Sequence, residues 1–123
     1  MKTIKMLCLS LIAVMIASTS CKKDKDFGDP ILTASATTVS TNQEITITLS
    51  GVETSEHGYS AYNTWTKVSG PDFTTISGGR EKDKTWTIKF SGTGTAIIQC
   101  SADFCRHGSC LGEKTAKTTI TVQ

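Results

Sequence analysis

Four rows of alternating apolar residues constrain this chain most. Ile45, Ile47 and Leu49 alternate with Thr46 and Thr48, and Trp86, Ile88 and Phe90 alternate with Thr87 and Lys89. Ala96, Ile98, Cys100 and Ala102 make a third row, and Ala116, Thr118, Ile120 and Val122 a fourth. A period of two sends one side of a segment into a core and the other into water, so each row reads as a half-buried strand. The surrounding threonine, serine, valine and isoleucine are strand chemistry. Further strands are expected near 32–39, 61–68 and 73–77, separated by turn clusters such as Ser69-Gly70-Pro71 and Ser77-Gly78-Gly79. About seven short strands with no helical period predict an all-β antiparallel sandwich with Greek-key wiring.

Ahead of this region lies a different kind of segment. Met1, Lys2 and Lys5 give a basic start, Met6 to Ala17 an apolar run, and Ser18-Thr19-Ser20 a small-residue site before Cys21 and the charged run KKDKD. The apolar run is shorter than the ~20 residues that span a bilayer, so it is a removable targeting signal. This arrangement resembles the precursors of bacterial lipoproteins, which implies cleavage before Cys21 and a lipid on its sulfur. Ser18 and Ser20 also suit an ordinary secretory cleavage at the same bond, which would release a soluble protein. Lipid chains anchor by ~0.8 kcal/mol per buried methylene, so two or three chains on Cys21 would hold the protein to a membrane.

Removing residues 1–20 leaves enough chain for one small domain and too little for two. The formal charge of +2 arises in the leader, since both surplus lysines, Lys2 and Lys5, lie there. The remainder is near neutral and carries no basic nucleic-acid footprint. Residues 22–30 mix charge with Gly28 and Pro30 and read as a flexible linker reaching at most about 30 Å. The expected organisation is a signal peptide over 1–20, lipidated cysteine and linker over 21–30, and a β-sandwich over 31–123.

The stretch from Tyr62 to Asp103 carries a second resemblance. Trp65, then Lys67-Val68-Ser69-Gly70-Pro71 and Ile76-Ser77, then Phe90, Gly94-Thr95 and an alternating strand ending at Asp103, are similar to the polycystic-kidney-disease (PKD) type of immunoglobulin-like domain, with Ala96 at the place of that family's tyrosine. The resemblance implies an immunoglobulin-like sandwich with Trp65 packed between its two sheets. Its motifs are core and turn residues, and it transfers no catalytic site.

Cys100, Cys105 and Cys110 remain once Cys8 leaves with the leader and Cys21 is lipidated. An oxidising address and the short turn between them favour a Cys105–Cys110 bridge, with Cys100 a buried, reduced hydrophobe in its row. If the rows of the last two long strands face one core, directly paired residues have numbers with an even sum. Cys105 and Cys110 have an odd sum, so their bridge must cross an irregular turn or a bulge. A Cys100–Cys110 bridge satisfies parity but shifts the last strand so that Ala96 opposes Lys114.

The remaining chemistry is sparse. Cys105, His107 and Cys110, with Cys100 or His57, have irregular spacing for zinc, and Glu53 and Glu56 beside His57 lack a glycine-anchored calcium pattern, so no metal or cofactor is expected. His57 and His107 lie in different loops outside any nucleophile motif, and Lys82, Asp83 and Lys84 read as a solubilising turn. Tyr59, Tyr62 and Phe104 flank loops, Tyr62 more as a core residue. In an immunoglobulin-like sandwich the amino terminus emerges beside the loops that correspond here to 51–60, 78–84 and 103–113. That end, with His57, Tyr59, Arg80, Phe104, Arg106 and His107 as candidate binding residues, would lie close to the membrane. The expected role is a non-catalytic binding or adhesion module for a protein or glycan, held by Cys21 in a Gram-negative envelope on the outer membrane, with KKDKD a candidate surface-sorting signal. The rivals are an envelope enzyme inhibitor acting through a disulfide-stiffened 103–113 loop and a small hydrolase.

Overall fold

The computed structural model describes residues 27–52 and 58–123. The expected signal peptide, Cys21, the charged run and His57 lie outside the described residues. Within them the strands are β1 (Ile31–Ala34), β2 (Thr38–Val39), β3 (Glu44–Ser50), β4 (Ser60–Ser69), β5 (Phe73–Gly78), β6 (Thr85–Phe90), β7 (Gly94–Arg106), β8 (Ser109–Cys110) and β9 (Lys114–Val122). No α-helix occurs among the described residues.

Two sheets face each other, in orders β1-β3-β6-β5 and β2-β9-β7-β4, with β8 attached to β7. This is the immunoglobulin-like wiring: the segment expected as one strand near 32–39 divides, β1 pairing with β3 and β2 crossing to pair with β9. The β2–β9 pair is parallel, so the second sheet is mixed where an antiparallel one was expected. Elsewhere the pairs are antiparallel, and Gly94 to Ala102 oppose Val122 to Lys114 with the even-sum register.

The alternating rows meet in the core. Ile45, Ile47 and Leu49 of β3, Trp86, Ile88 and Phe90 of β6, Ala96, Ile98, Cys100 and Ala102 of β7, and Ile120 and Val122 of β9 are all buried. Each fully buried isoleucine removes apolar area worth about 1.5–3 kcal/mol. The intervening threonines stay outside and pair across strands, as Thr46 and Thr87 do through their hydroxyls at 2.9 Å.

Three packing expectations change. Trp86, 6% exposed, is the buried indole; Trp65 is half-buried, because β4 lies at a sheet edge, and it packs on Trp86 at 6.0 Å between ring centroids. Tyr62 sits on the outer face of β4, where the ammonium of Lys82 covers its ring at 3.7 Å. Phe27, expected in the linker, is buried in the core, stacked on Phe104 and edge-on to Tyr59. The folded domain therefore includes Phe27 to Pro30, ahead of the expected start at Ile31.

The S-G-P segment at the end of β4 has a steric reason. Gly70 has a φ of +116°, and a Cβ there would lie 2.6 Å from the Cα of Ala96. Lys67 closes the same corner, donating from Nζ to the carbonyls of Gly70 (2.9 Å) and Pro71 (2.8 Å).

Candidate functional site

Strand β7 runs on to Arg106, well into the stretch expected as a loop. The inward row that begins at Ala96 continues through Ala102 to Phe104, which is 3% exposed. Tyr59 is 7% exposed and packs on the same cluster through Phe27. Both residues were expected as loop contacts for a ligand; period-two alternation turns Phe104 inward, and the aromatic cluster at the end of the sandwich takes Tyr59 with it.

Arg106 and Ser109 are opposed, and between them His107 (φ 52°) and Gly108 (φ 81°) form a two-residue turn. Two successive left-handed residues are the requirement of a type I′ hairpin, which glycine meets without strain. Cys105 and Cys110 are directly opposed and bonded, with Cα atoms 4.1 Å apart. The expected irregularity lies at the base of this hairpin. From Cys105–Cys110 to Ala102–Lys114, β7 advances three residues and the returning chain four. Leu111 N donates to the Phe104 carbonyl at 3.0 Å, and the Asp103 carboxylate accepts from Phe104 N and Gly112 N at 2.9 and 3.1 Å. The hairpin is thereby fixed at both ends. It exposes His107, Ser109, Cys110 and Leu111, while Arg106 lies half-buried with its guanidinium 4.7 Å above the Tyr59 ring.

Asp103 lies close enough to both hairpin sulfurs to suggest a cation cluster. The sulfurs are bonded to each other and offer no thiolate. Cys100 has no disulfide partner and is completely buried, and that burial pushes its thiol up to about 11.

Arg80 serves the loop that carries it. Its backbone N–H and its Nε both donate to Asp83 Oδ2, at 3.0 and 2.8 Å, and Asp83 N donates back to the Arg80 carbonyl. The side-chain hydrogen bond from Arg80 lowers the Asp83 carboxyl below its ordinary value. This closed turn is laid against the exposed edge of β4. Asn63 N donates to the Glu81 carbonyl at 2.8 Å, and the Asp83 carbonyl receives Asn63 Nδ2 at 3.0 Å and Trp65 Nε1 at 3.2 Å. An edge strand that would otherwise offer free backbone groups is covered over part of its length.

Between β4 and this loop lies a groove of about 240 Å³ lined by Tyr59, Ser60, Ala61, Asn63, Lys82 and Lys84. Asn63 is 5% exposed, and its Oδ1 accepts no hydrogen bond among the described residues. The sequence offered a signal for it: Asn63 is the one amide in the inward row Ala61, Asn63, Trp65, Lys67. Lys82 and Lys84, read as solubility residues, supply the charge. Of the expected binding residues the structure joins Tyr59, Phe104 and Arg106 through the aromatic cluster, puts His107 at the hairpin tip, and keeps Arg80 in its own turn. No protein-family model and no curated protein matches this chain.

Proposed function

We propose that the chain is a non-catalytic extracytoplasmic binding module, of the PKD type, held by a lipid on Cys21 in a Gram-negative envelope and engaging a protein or glycan. The observation that carries this is the bridged hairpin. A disulfide, an Asp103 carboxylate and a type I′ turn hold His107, Ser109 and Leu111 in one geometry on a rigid sandwich, so little ordering entropy is lost when they bind. The leader and Cys21 support the address. The inhibitor reading draws less support, because a two-residue loop leaves little chain to enter a catalytic cleft.

The test uses purified protein added to washed envelopes and cells of the producing organism, beside a His107→Asn/Leu111→Ser variant that keeps the turn and the bridge. Saturable binding that falls at least about tenfold in the variant is expected. Binding that is absent, or equal in the two proteins, overturns the hairpin as the recognition element.

A further inference from the structure

A strand at the end of a sheet offers unpaired backbone groups unless something covers it. Among the described residues β1, β2, β4 and β5 end the two sheets. β1 lies alongside β9, and β2 is two residues long. The turn from Arg80 to Asp83 covers β4 at Asn63 and Trp65, and Lys67 charges the edge beyond. β5 is the exception. No described segment pairs with its outer side, and Phe73 to Gly79 carry no charge. The Asp72 carbonyl accepts from Ser91 N at 2.9 Å, so Asp72 and, two residues on, Thr74 turn their backbone groups to β6. Phe73 opposes Phe90, whose carbonyl is taken from the β3 side by Asn42 N at 2.7 Å. The N–H and C=O of Phe73 and of Thr75 therefore point outward. Past Thr75 the register shifts at Ile76, and this bulge ends the regular edge.

An antiparallel copy of the same stretch satisfies all four groups when a two-fold axis passes through Thr74. Phe73 then exchanges both hydrogen bonds with Thr75 of the second copy, and Thr75 with its Phe73. Shifted two residues one way, Thr75 would meet Pro71, which has no N–H. Shifted the other way, Phe73 would meet Ser77, whose backbone is turned to β6, as the bond from Gly79 N to the Thr85 carbonyl requires. The Thr74-centred register alone uses every outward group. It sets half-buried Phe73 against exposed Thr75 as an aromatic and β-branched pair, and it brings no like charges together. We propose that β5 pairs edge to edge with β5 of a second copy of this chain, joining two four-stranded sheets into one continuous sheet. This goes beyond the hairpin reading and uses a different surface. Thr74 is level with Lys89 and Glu44, and Glu44 lies six residues along β3 from Ser50, which opposes Ile31 at the amino-terminal end. That is about 20 Å, so the two-fold sends the hairpins to opposite ends of the pair and leaves both free.

The experiment is sedimentation of the whole purified protein from about 10 μM to 1 mM, with amide hydrogen exchange at both limits. A monomer–dimer equilibrium with a dissociation constant below about 1 mM is expected, weak because the paired stretch is short. The Phe73 and Thr75 amides should exchange at least about tenfold more slowly at the high concentration. Thr74→Lys and Thr74→Glu change an exposed side chain on the axis and should leave the urea midpoint unchanged. Each sets like charges directly opposite and should weaken association at least about tenfold, while an equimolar mixture of the two should associate again. A protein that stays monomeric at 1 mM, a dimer indifferent to both substitutions, a mixture that does not recover, or protection confined to another edge would each overturn the pairing. Where a variant shifts the midpoint, the wild-type exchange at Phe73 and Thr75 decides alone. The His107→Asn/Leu111→Ser protein should pair as the native chain does, so failure of the hairpin as a recognition element leaves the pairing standing, and the reverse holds too.

Discussion

Phe27 and Phe104 stack with ring centroids 4.5 Å apart and planes 16° from parallel. One residue comes from the beginning of the domain and the other from near the end of its longest strand. Lys114 reinforces the junction, its Nζ donating to the Gly28 carbonyl at 2.9 Å. The start of the described domain at Phe27 is thus fixed at the end of the sandwich that carries Tyr59, Arg106 and the bridged hairpin. Only six residue steps separate Cys21 from Phe27, at most about 20 Å of chain, so a lipid on Cys21 would hold that end nearer the membrane than the nine-residue linker first implies.

Phe27→Ala should therefore behave as a core truncation. Reversible urea unfolding is expected to show a loss of about 3–5 kcal/mol, the range for a buried phenylalanine. A linker residue would cost within about 0.5 kcal/mol, so the two outcomes are well separated.

Trp86→Ala should cost more than Trp65→Ala. Trp86 is enclosed by Phe73 edge-on at 5.2 Å, by Trp65, and by Gly79, whose Cβ would lie 2.4 Å from the indole; its Nε1 donates to Thr75 Oγ1 at 3.1 Å. About 3–5 kcal/mol is expected for Trp86, and about 2 kcal/mol for Trp65, whose half-buried ring gives up one hydrogen bond to Asp83 and part of its packing. Urea midpoints of the two variants decide the order, and equal losses would mean that the edge position of Trp65 is immaterial.

The β-rows were legible because alternation is a local pattern: β3, β6, β7 and β9 each contain the predicted apolar row, and register parity followed from it. Phe104 was also legible, since it continues the even-numbered row of β7, yet the nearby Cys105 and Gly108 read as loop. Trp65 and Trp86 exchange roles for a nonlocal reason: β4 is an edge strand and β6 a central one, and strand order is not written in either segment. Phe27 gave no local sign of burial among charged neighbours; its partners lie 32 and 77 positions away. Asn63 stood out as an amide in its row, but the groove itself was illegible because Asn63 and Lys84 are brought together only when the loop docks on β4.

Breaking the hairpin bridge should loosen the hairpin more than the domain. The chain-entropy estimate for closing six residues is about 2 kcal/mol. A Cys105→Ser/Cys110→Ser protein is expected to stay folded, to lose about that much in urea, and to show faster hydrogen exchange at Leu111 and Gly112 while Ile98 and Ile120 stay protected. Non-reducing peptide mapping of the native protein should return Cys105 linked to Cys110 and Cys100 alkylated only after denaturation.

Cys100 makes stability fall in alkaline solution. Its thiol is held neutral by burial, with a folded value of about 11 against an ordinary 9.0. Below about pH 9 both folded and unfolded chains keep the proton, and the group adds no pH dependence. Between about pH 9 and 11 the unfolded chain releases the proton and the folded chain retains it, so unfolding becomes easier by up to about 1.4 kcal/mol per pH unit. A Cys100→Ala protein lacks this contribution, although its smaller side chain costs some stability at every pH. The measurement is the difference in unfolding free energy between the two proteins from pH 8 to 11, in which the other titrating groups cancel. The wild-type advantage should shrink steadily above about pH 9, and a difference that stays flat to pH 11 would show that Cys100 ionises as readily in the fold as in the open chain.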